Sequence, residues 1–131
     1  ESRQKNSQST NYFDLAGTAW NAPHLRVRGN IGWSGSGFDL SAYSNLIGGV
    51  DDRRRLPYRD GKSMLTFDLS ASYTVASNNP WLDGLKAQLT VSNLFNRRPP
   101  YLQPAAFAEP YDSTNYSPVG RFIALSLSHR L

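Results

Sequence analysis

A two-residue alternation of apolar and polar side chains recurs along this chain, and it restricts the fold to strands with unlike faces. In the last run, Ile123, Leu125, Leu127, His129 and Leu131 fall on one face and Phe122, Ala124, Ser126, Ser128 and Arg130 on the other. Between Ser63 and Val75, Leu65, Phe67, Leu69, Ala71, Tyr73 and Val75 oppose Met64, Thr66, Asp68, Ser70, Ser72 and Thr74. From Leu85 to Phe95 the sets are Leu85, Ala87, Leu89 and Val91 against Lys86, Gln88, Thr90 and Ser92. His24 to Trp33 separates Leu25, Val27, Gly29, Ile31 and Trp33 from His24, Arg26, Arg28 and Asn30. Phe38 to Leu46 sets Phe38, Leu40, Ala42 and Leu46 against Asp39, Ser41, Tyr43 and Asn45.

The connections between these runs alternate in length. Ser34-Gly35-Ser36-Gly37 is a short turn suited to positive φ and predicts a hairpin. Ile47 to Lys62 lacks alternation, holds Gly48-Gly49 and the charged block Asp51 to Arg55, and predicts a long loop. Ala76 to Gly84, with Asn78-Asn79-Pro80, is a turn whose Trp81 suits an interfacial anchor. Asn96 to Val119 is long again, and Pro99-Pro100 removes two ladder donors at its start. Glu1 to Thr10 carries no periodicity and is assigned no structure, and Asn11 to Pro23 ends in the turn signal Asn21-Ala22-Pro23. The expected fold is all-β, an antiparallel meander of about five strands.

Two arginines on the polar face of one run, with Asp39, Asp68 and Lys86 on others, would be costly in a dry core and are at ease in a wet lumen. The runs are about nine to thirteen residues long, and a tilted strand needs roughly 9–11 residues to cross a bilayer. No apolar run approaches the roughly 20 residues of a membrane helix. The mean hydropathy of −0.51 leaves a β-barrel open, because lipid-facing and lumen-facing residues alternate along its strands. A soluble β-sandwich binding module alternates in the same way and is the alternative from another class.

The formal net charge of +4 and pI of about 9.6 suit lipopolysaccharide phosphates or an anionic ligand. Nucleic acid is not expected as a partner, since the basic residues are not interleaved with a stacking platform. Without cysteine there is no disulfide framework and no thiolate chemistry. The two histidines, His24 and His129, are far apart in sequence, and no phosphate loop or metal spacing appears, so no enzyme activity and no cofactor or metal site are expected.

The segments VSNLFNRRPP (residues 91–100) and YDSTNYSPVGRFIALSLSHRL (residues 111–131) resemble the extreme C-terminus of TonB-dependent outer-membrane receptors. The shared order is an Asn-Leu-Phe strand end, a Pro-Pro exit, a Tyr-Asp-x-Thr-Asn loop and a Gly-Arg-Phe opening of the closing strand. The family usually ends on an aromatic residue, whereas this chain ends on Leu131. The resemblance implies that residues 24–131 are the C-terminal part of a transmembrane barrel of about 22 strands. Residues 1–23 would be an extracellular loop or the remnant of a preceding strand. It further implies the outer membrane of a Gram-negative bacterium, with a signal peptide, plug and TonB-contacting segment upstream of Glu1. The implied function is import of a scarce nutrient, a ferric siderophore first, with cobalamin or carbohydrate behind. The implied partners are outer-membrane lipid and lipopolysaccharide, the plug and upstream strands of the same receptor, TonB, and the barrel-assembly machinery.

With a periplasmic end at Leu131, the connections Ile47 to Lys62 and Asn96 to Val119 fall outside the cell, and ligand contacts are sought there. Arg53, Arg54 and Arg55 offer bidentate geometry to an anion, or else neutralise the adjacent aspartates as a solvated loop. Tyr101, Phe107, Tyr111 and Tyr116 in the second connection supply an aromatic rim, or else pack the loop against its neighbours, and Tyr58 in the first is a further candidate for ligand contact. Asp112 to Asn115 matches the family motif and is also a common turn composition. Arg121, Phe122, Ile123, Leu125, Leu127, His129 and Leu131 form the expected closing strand, whose free edge serves assembly.

Overall fold

The computed structural model describes residues 3–5, 12–54, 56–103 and 109–129. Its elements are strands: β1 (Arg3–Lys5), β2 (Tyr12–Asp14), β3 (Arg26–Gly35), β4 (Phe38–Ile47), β5 (Asp51–Asp52), β6 (Arg59–Asp60), β7 (Met64–Thr74), β8 (Leu85–Ser92) and β9 (Phe122–His129). Five form one antiparallel sheet in the order β3-β4-β7-β8-β9, and β1-β2 and β5-β6 are two further two-stranded sheets.

All five expected runs are strands, and across β7, β8 and β9 the register aligns their faces. Leu69, Val91 and Ile123 form one row across β7, β8 and β9, Ala71, Leu89 and Leu125 the next, and Tyr73, Ala87 and Leu127 a third. The alternate rows are Ser70-Thr90-Ala124 and Ser72-Gln88-Ser126. A slip of one residue would exchange these faces, so the side-chain pattern specifies the register.

On the polar face the charges are partnered. Asp39 accepts from Ser72 Oγ at 3.2 Å and lies 3.9 Å from Lys86 Nζ. Asp68 accepts from Asn45 Nδ2 at 2.9 Å and from the Asn93 N–H at 2.8 Å. The Arg28 guanidinium lies 5.2 Å from the centroid of the Tyr43 ring.

Turn chemistry sets the strand ends. Ser36 and Gly37 take φ of 51° and 82°, the pair of left-handed residues that a two-residue hairpin needs to match strand twist. β3 therefore continues to Gly35, past the expected end at Trp33. β8 stops at Ser92 rather than Phe95. Asn93 turns to φ 51° and closes a loop on itself, its side chain accepting from Arg97 N and donating to Arg97 O, both at 2.8 Å.

Two stretches are more ordered than their composition suggests. Arg3–Lys5 pairs with Tyr12–Asp14, although Glu1 to Thr10 was expected to carry no structure. Backbone ladders need no apolar pattern, so a hairpin of this kind leaves no periodic trace. The loop after β4 contains the small β5-β6 ladder.

The chain divides into two compact units, Glu1–Val27 with Leu46–Leu65 and Arg98–Pro118, and Arg28–Asn45 with Thr66–Arg97 and Val119–Leu131. The second carries the body of the sheet. The first gathers the N-terminal segment with much of both long connections around Val50, Met64 and Tyr116, with Ala19 and Ile47 packed alongside. Gly49 and Gly61 make its backbone crossing possible, since a Cβ on Gly49 would meet the Gly61 carbonyl oxygen and one on Gly61 would lie 2.5 Å from Val50 O.

Candidate functional site

The loop unit holds most of the residues expected to meet a ligand, and it is organised by a buried carboxylate. Asp112 is fully buried. It accepts from Thr114 N at 3.0 Å, Asn115 N at 3.1 Å, Asn115 Nδ2 at 2.8 Å and Trp20 N at 2.9 Å. The first three are local, the self-capping turn that an Asp-Ser-Thr-Asn composition favours. The fourth joins segments 92 residues apart, and Asn115 Nδ2 also donates to Asn21 O at 2.7 Å. Trp20 has φ 65°, an uncommon conformation for a bulky residue, held here from both sides.

Arg54 joins the same cluster. Its guanidinium meets Asp52 through Nε–Oδ1 at 2.7 Å and Nη2–Oδ2 at 2.8 Å, donates to Gln103 O at 2.8 Å and lies 3.9 Å over the Trp20 ring. The bidentate pair holds the Asp52 carboxyl below its ordinary pKa, against a burial that acts the other way. Arg54 is thus committed to the wall of the unit. Arg53 is different: it pairs with Asp51 at 3.1 Å with 63% of its side chain exposed.

The aromatic residues divide between the two roles considered for them. Tyr58 and Tyr101 are exposed, and Tyr111 is half-buried. Tyr116 is 3% exposed and donates its hydroxyl to Gly48 O at 2.9 Å, so it packs the loops together and is not on a rim. Burial, with the Asp112 charge second, raises its phenol pKa. Arg55 and Phe107 lie outside the described residues.

In β9, Phe122, Ile123, Leu125 and Leu127 are exposed, and His129 Nε2 lies 2.9 Å from Asp83 O. Arg121 immediately precedes the strand, and its N–H donates to Asn96 Oδ1 at 2.9 Å. Leu131 lies outside the described residues.

Sequence reasoning missed Trp20, Asp52 and Asn21 as members of the site. Asp52 had a local signal, since Asp-x-Arg allows the side chains to meet. Trp20 had none, because its partners are remote. In comparisons with known proteins the chain matches no family model, no curated protein and no solved structure.

Proposed function

We propose that this chain is the C-terminal portion of a TonB-dependent outer-membrane receptor, supplying barrel wall, extracellular loops and the closing strand β9. The observation that carries the reading is the bare apolar face of the sheet. Leu69, Leu89, Ile123, Leu125 and Leu127 stand in adjacent rows, and Leu125 and Leu127 are 71% and 69% exposed. Soluble proteins rarely leave such a contiguous surface open.

Aromatic pairs bracket that face. Phe67 packs edge-on to Phe95 with centroids 5.6 Å apart, and Phe38 packs on Tyr73 at 4.4 Å. Phe67 and Tyr73 are six residues apart on β7, about 20 Å at a strand's rise of about 3.3 Å per residue. That separation suits aromatic girdles at the two rims of an outer-membrane apolar band. The opposite face carries partnered charges suited to a wet lumen. Both edge strands, β3 and β9, require neighbours, which the remaining strands of the receptor would provide.

In this reading the receptor binds its nutrient at the extracellular loops and imports it with energy relayed by TonB. A ferric siderophore is the first expectation, and cobalamin or a carbohydrate stands behind it. The first test is partition of the expressed chain between detergent and buffer, with heat-modifiable gel mobility of the membrane-inserted receptor. A cooperative thermal transition from a monomer in detergent-free buffer would overturn the reading in favour of a soluble β-sandwich. Growth of a receptor-deleted strain on a panel of ferric siderophores, cobalamin and oligosaccharides then assigns the nutrient.

A further inference from the structure

The connection between β4 and β7 carries its own hairpin, and the side chains at its tip stand in the open. The β5-β6 ladder pairs Asp51 with Asp60 and Asp52 with Arg59. Residues 56–60 are all exposed, and Leu56 and Tyr58, on either side of Pro57, are 73% and 62% exposed. The base of the hairpin, by contrast, is braced. The Asp51 N–H donates to Gly17 O at 2.6 Å, the Ala19 N–H to Asp51 O at 3.0 Å and the Gly61 N–H to Val50 O at 2.8 Å. Arg54 ties the start of the tip to Asp52, Gln103 and the Trp20 ring. A lone apolar side chain on a surface needs no explanation. Here two large ones share one braced hairpin, so little ordering remains to be done when a partner covers them.

The hairpin is also basic. Residues 51–62 hold five basic side chains against three acidic ones, a net charge of +2 that counts Arg55 by sequence alone. Arg54 neutralises Asp52, and Arg53 pairs with Asp51. Asp52 opposes Arg59 in the ladder, but its carboxylate is taken by Arg54. Among the described residues, Arg59 and Lys62 are therefore left without a carboxylate partner.

We infer that this hairpin tip docks into a protein partner that offers an apolar pocket rimmed by carboxylates. Small-molecule sites bury about 70–90% of their ligand. A tip that itself stands this far into solvent encloses nothing, so the concavity belongs to the partner. Tyr and Arg are the residue types in which interface energy concentrates. Leu56 and Tyr58 supply the buried contact, while Arg59 and Lys62 set its orientation against carboxylates. A uniformly anionic lipid surface or nucleic acid would repel Asp60, which lies between them in sequence, whereas a protein can set a cation opposite it. The inference goes beyond the transport function proposed above and does not require it. It assigns Tyr58 to a macromolecular contact rather than to an imported nutrient.

The test is selection of a random dodecapeptide phage library on the immobilised full chain, in buffer or in detergent according to where the chain partitions. Prior depletion on the Leu56→Ser/Tyr58→Ser variant removes peptides that bind the exposed sheet face. Enriched sequences are synthesised with a fluorophore and titrated by polarisation, beside phosphatidylglycerol vesicles and an oligothymidylate as competing probes. Net-negative sequences with an aromatic or large aliphatic residue are expected. Their affinity should fall at least tenfold in Tyr58→Ala and in Arg59→Gln/Lys62→Gln, and should weaken as salt is added. The substituted side chains are exposed, and unchanged far-UV circular dichroism separates lost contact from lost fold. The inference is overturned if no sequence distinguishes the chain from the depletion variant, if the enriched sequences are neutral or basic, or if both variants keep full affinity. Tip-dependent binding of the vesicles or the oligonucleotide that is tighter than that of the peptides would overturn it as well. None of these outcomes bears on partition or heat modifiability, so this surface and the barrel reading fail separately.

Discussion

Asn96 Oδ1 accepts the backbone N–H of Arg121 at 2.9 Å, and a Cβ added to Gly120 would lie 2.5 Å from the same oxygen. The Asn-Leu-Phe-Asn strand end and the Gly-Arg-Phe strand start are therefore one contact. Asn96 itself has φ 52°, a conformation that Asn tolerates better than most residues. Asn96→Ala is expected to cost about 1–2 kcal/mol, the lost hydrogen bond plus left-handed strain. Gly120→Ala should cost a similar amount by pushing the acceptor off its donor. Thermal unfolding of the detergent-solubilised chain measures both, and a double variant that costs no more than either single would show the shared contact.

The Asp112 carboxylate is expected to hold the loop unit together. Asp112→Ala removes the acceptor of four N–H groups, of which the two on Asn115 keep a second partner, at a cost of about 2–4 kcal/mol. Asp112→Asn keeps the volume but turns donors toward donors on one side, and should lie between the two. Hydrogen exchange at Trp20, Thr114 and Asn115 will show the loss, while protection in β7, β8 and β9 stays near wild type. Uniform loss of protection in the sheet would refute a local role.

Two ionisations bound the pH range of this unit. The folded pKa of Asp52 is lowered by Arg54, so its contribution is present above the unfolded value of about 3.9 and is lost as pH falls through the folded value. The folded pKa of Tyr116 is raised, so its contribution is full below about 10 and is lost as pH rises through the folded value. Arg54→Gln should remove the acid limb and Tyr116→Phe the alkaline one, in hydrogen-exchange protection of the loop amides against pH. Limbs that persist unchanged in these variants would assign them to other groups.

Single cysteines at Leu69 and Leu89 in the membrane-inserted receptor should be shielded from water-soluble maleimides, and those at Ser70 and Thr90 should react. Leu69 and Leu89 lie in adjacent rows of the apolar face, whereas Ser70 and Thr90 are direct partners on the other. Equal labelling of the two sets would refute the face assignment.

Gly49 and Gly61 are expected to resist substitution. Alanine at either must move a backbone carbonyl rather than a flexible side chain, and overpacking of this kind costs about 1–3 kcal/mol or more. Proteolytic susceptibility of the loop after β4 is the measurement, with Gly48→Ala as the milder control, its Cβ no closer than 3.1 Å to its neighbours.

The five strands and their faces could be read from residue order alone, because side-chain direction in a strand depends on position parity and the apolar set of each run has only one way to share a face. Ser36-Gly37 and Asp112 to Asn115 were legible for a related reason: their conformations are built by bonds and dihedrals within a few residues. Tertiary structure alone decided what those elements were for. Asp112 became a clamp because Trp20, 92 residues away, donates to it. Arg54 became a wall and Tyr116 a core residue because Trp20, Gln103 and Gly48 came to them from other segments. Arg53, the residue next to Arg54, was left largely exposed beside Asp51. Nothing local distinguishes these arginines, or the exposed Tyr58 and Tyr101 from the buried Tyr116. The difference arises when distant loops close on one another, and contacts made by such closure leave no periodic trace in the chain that makes them.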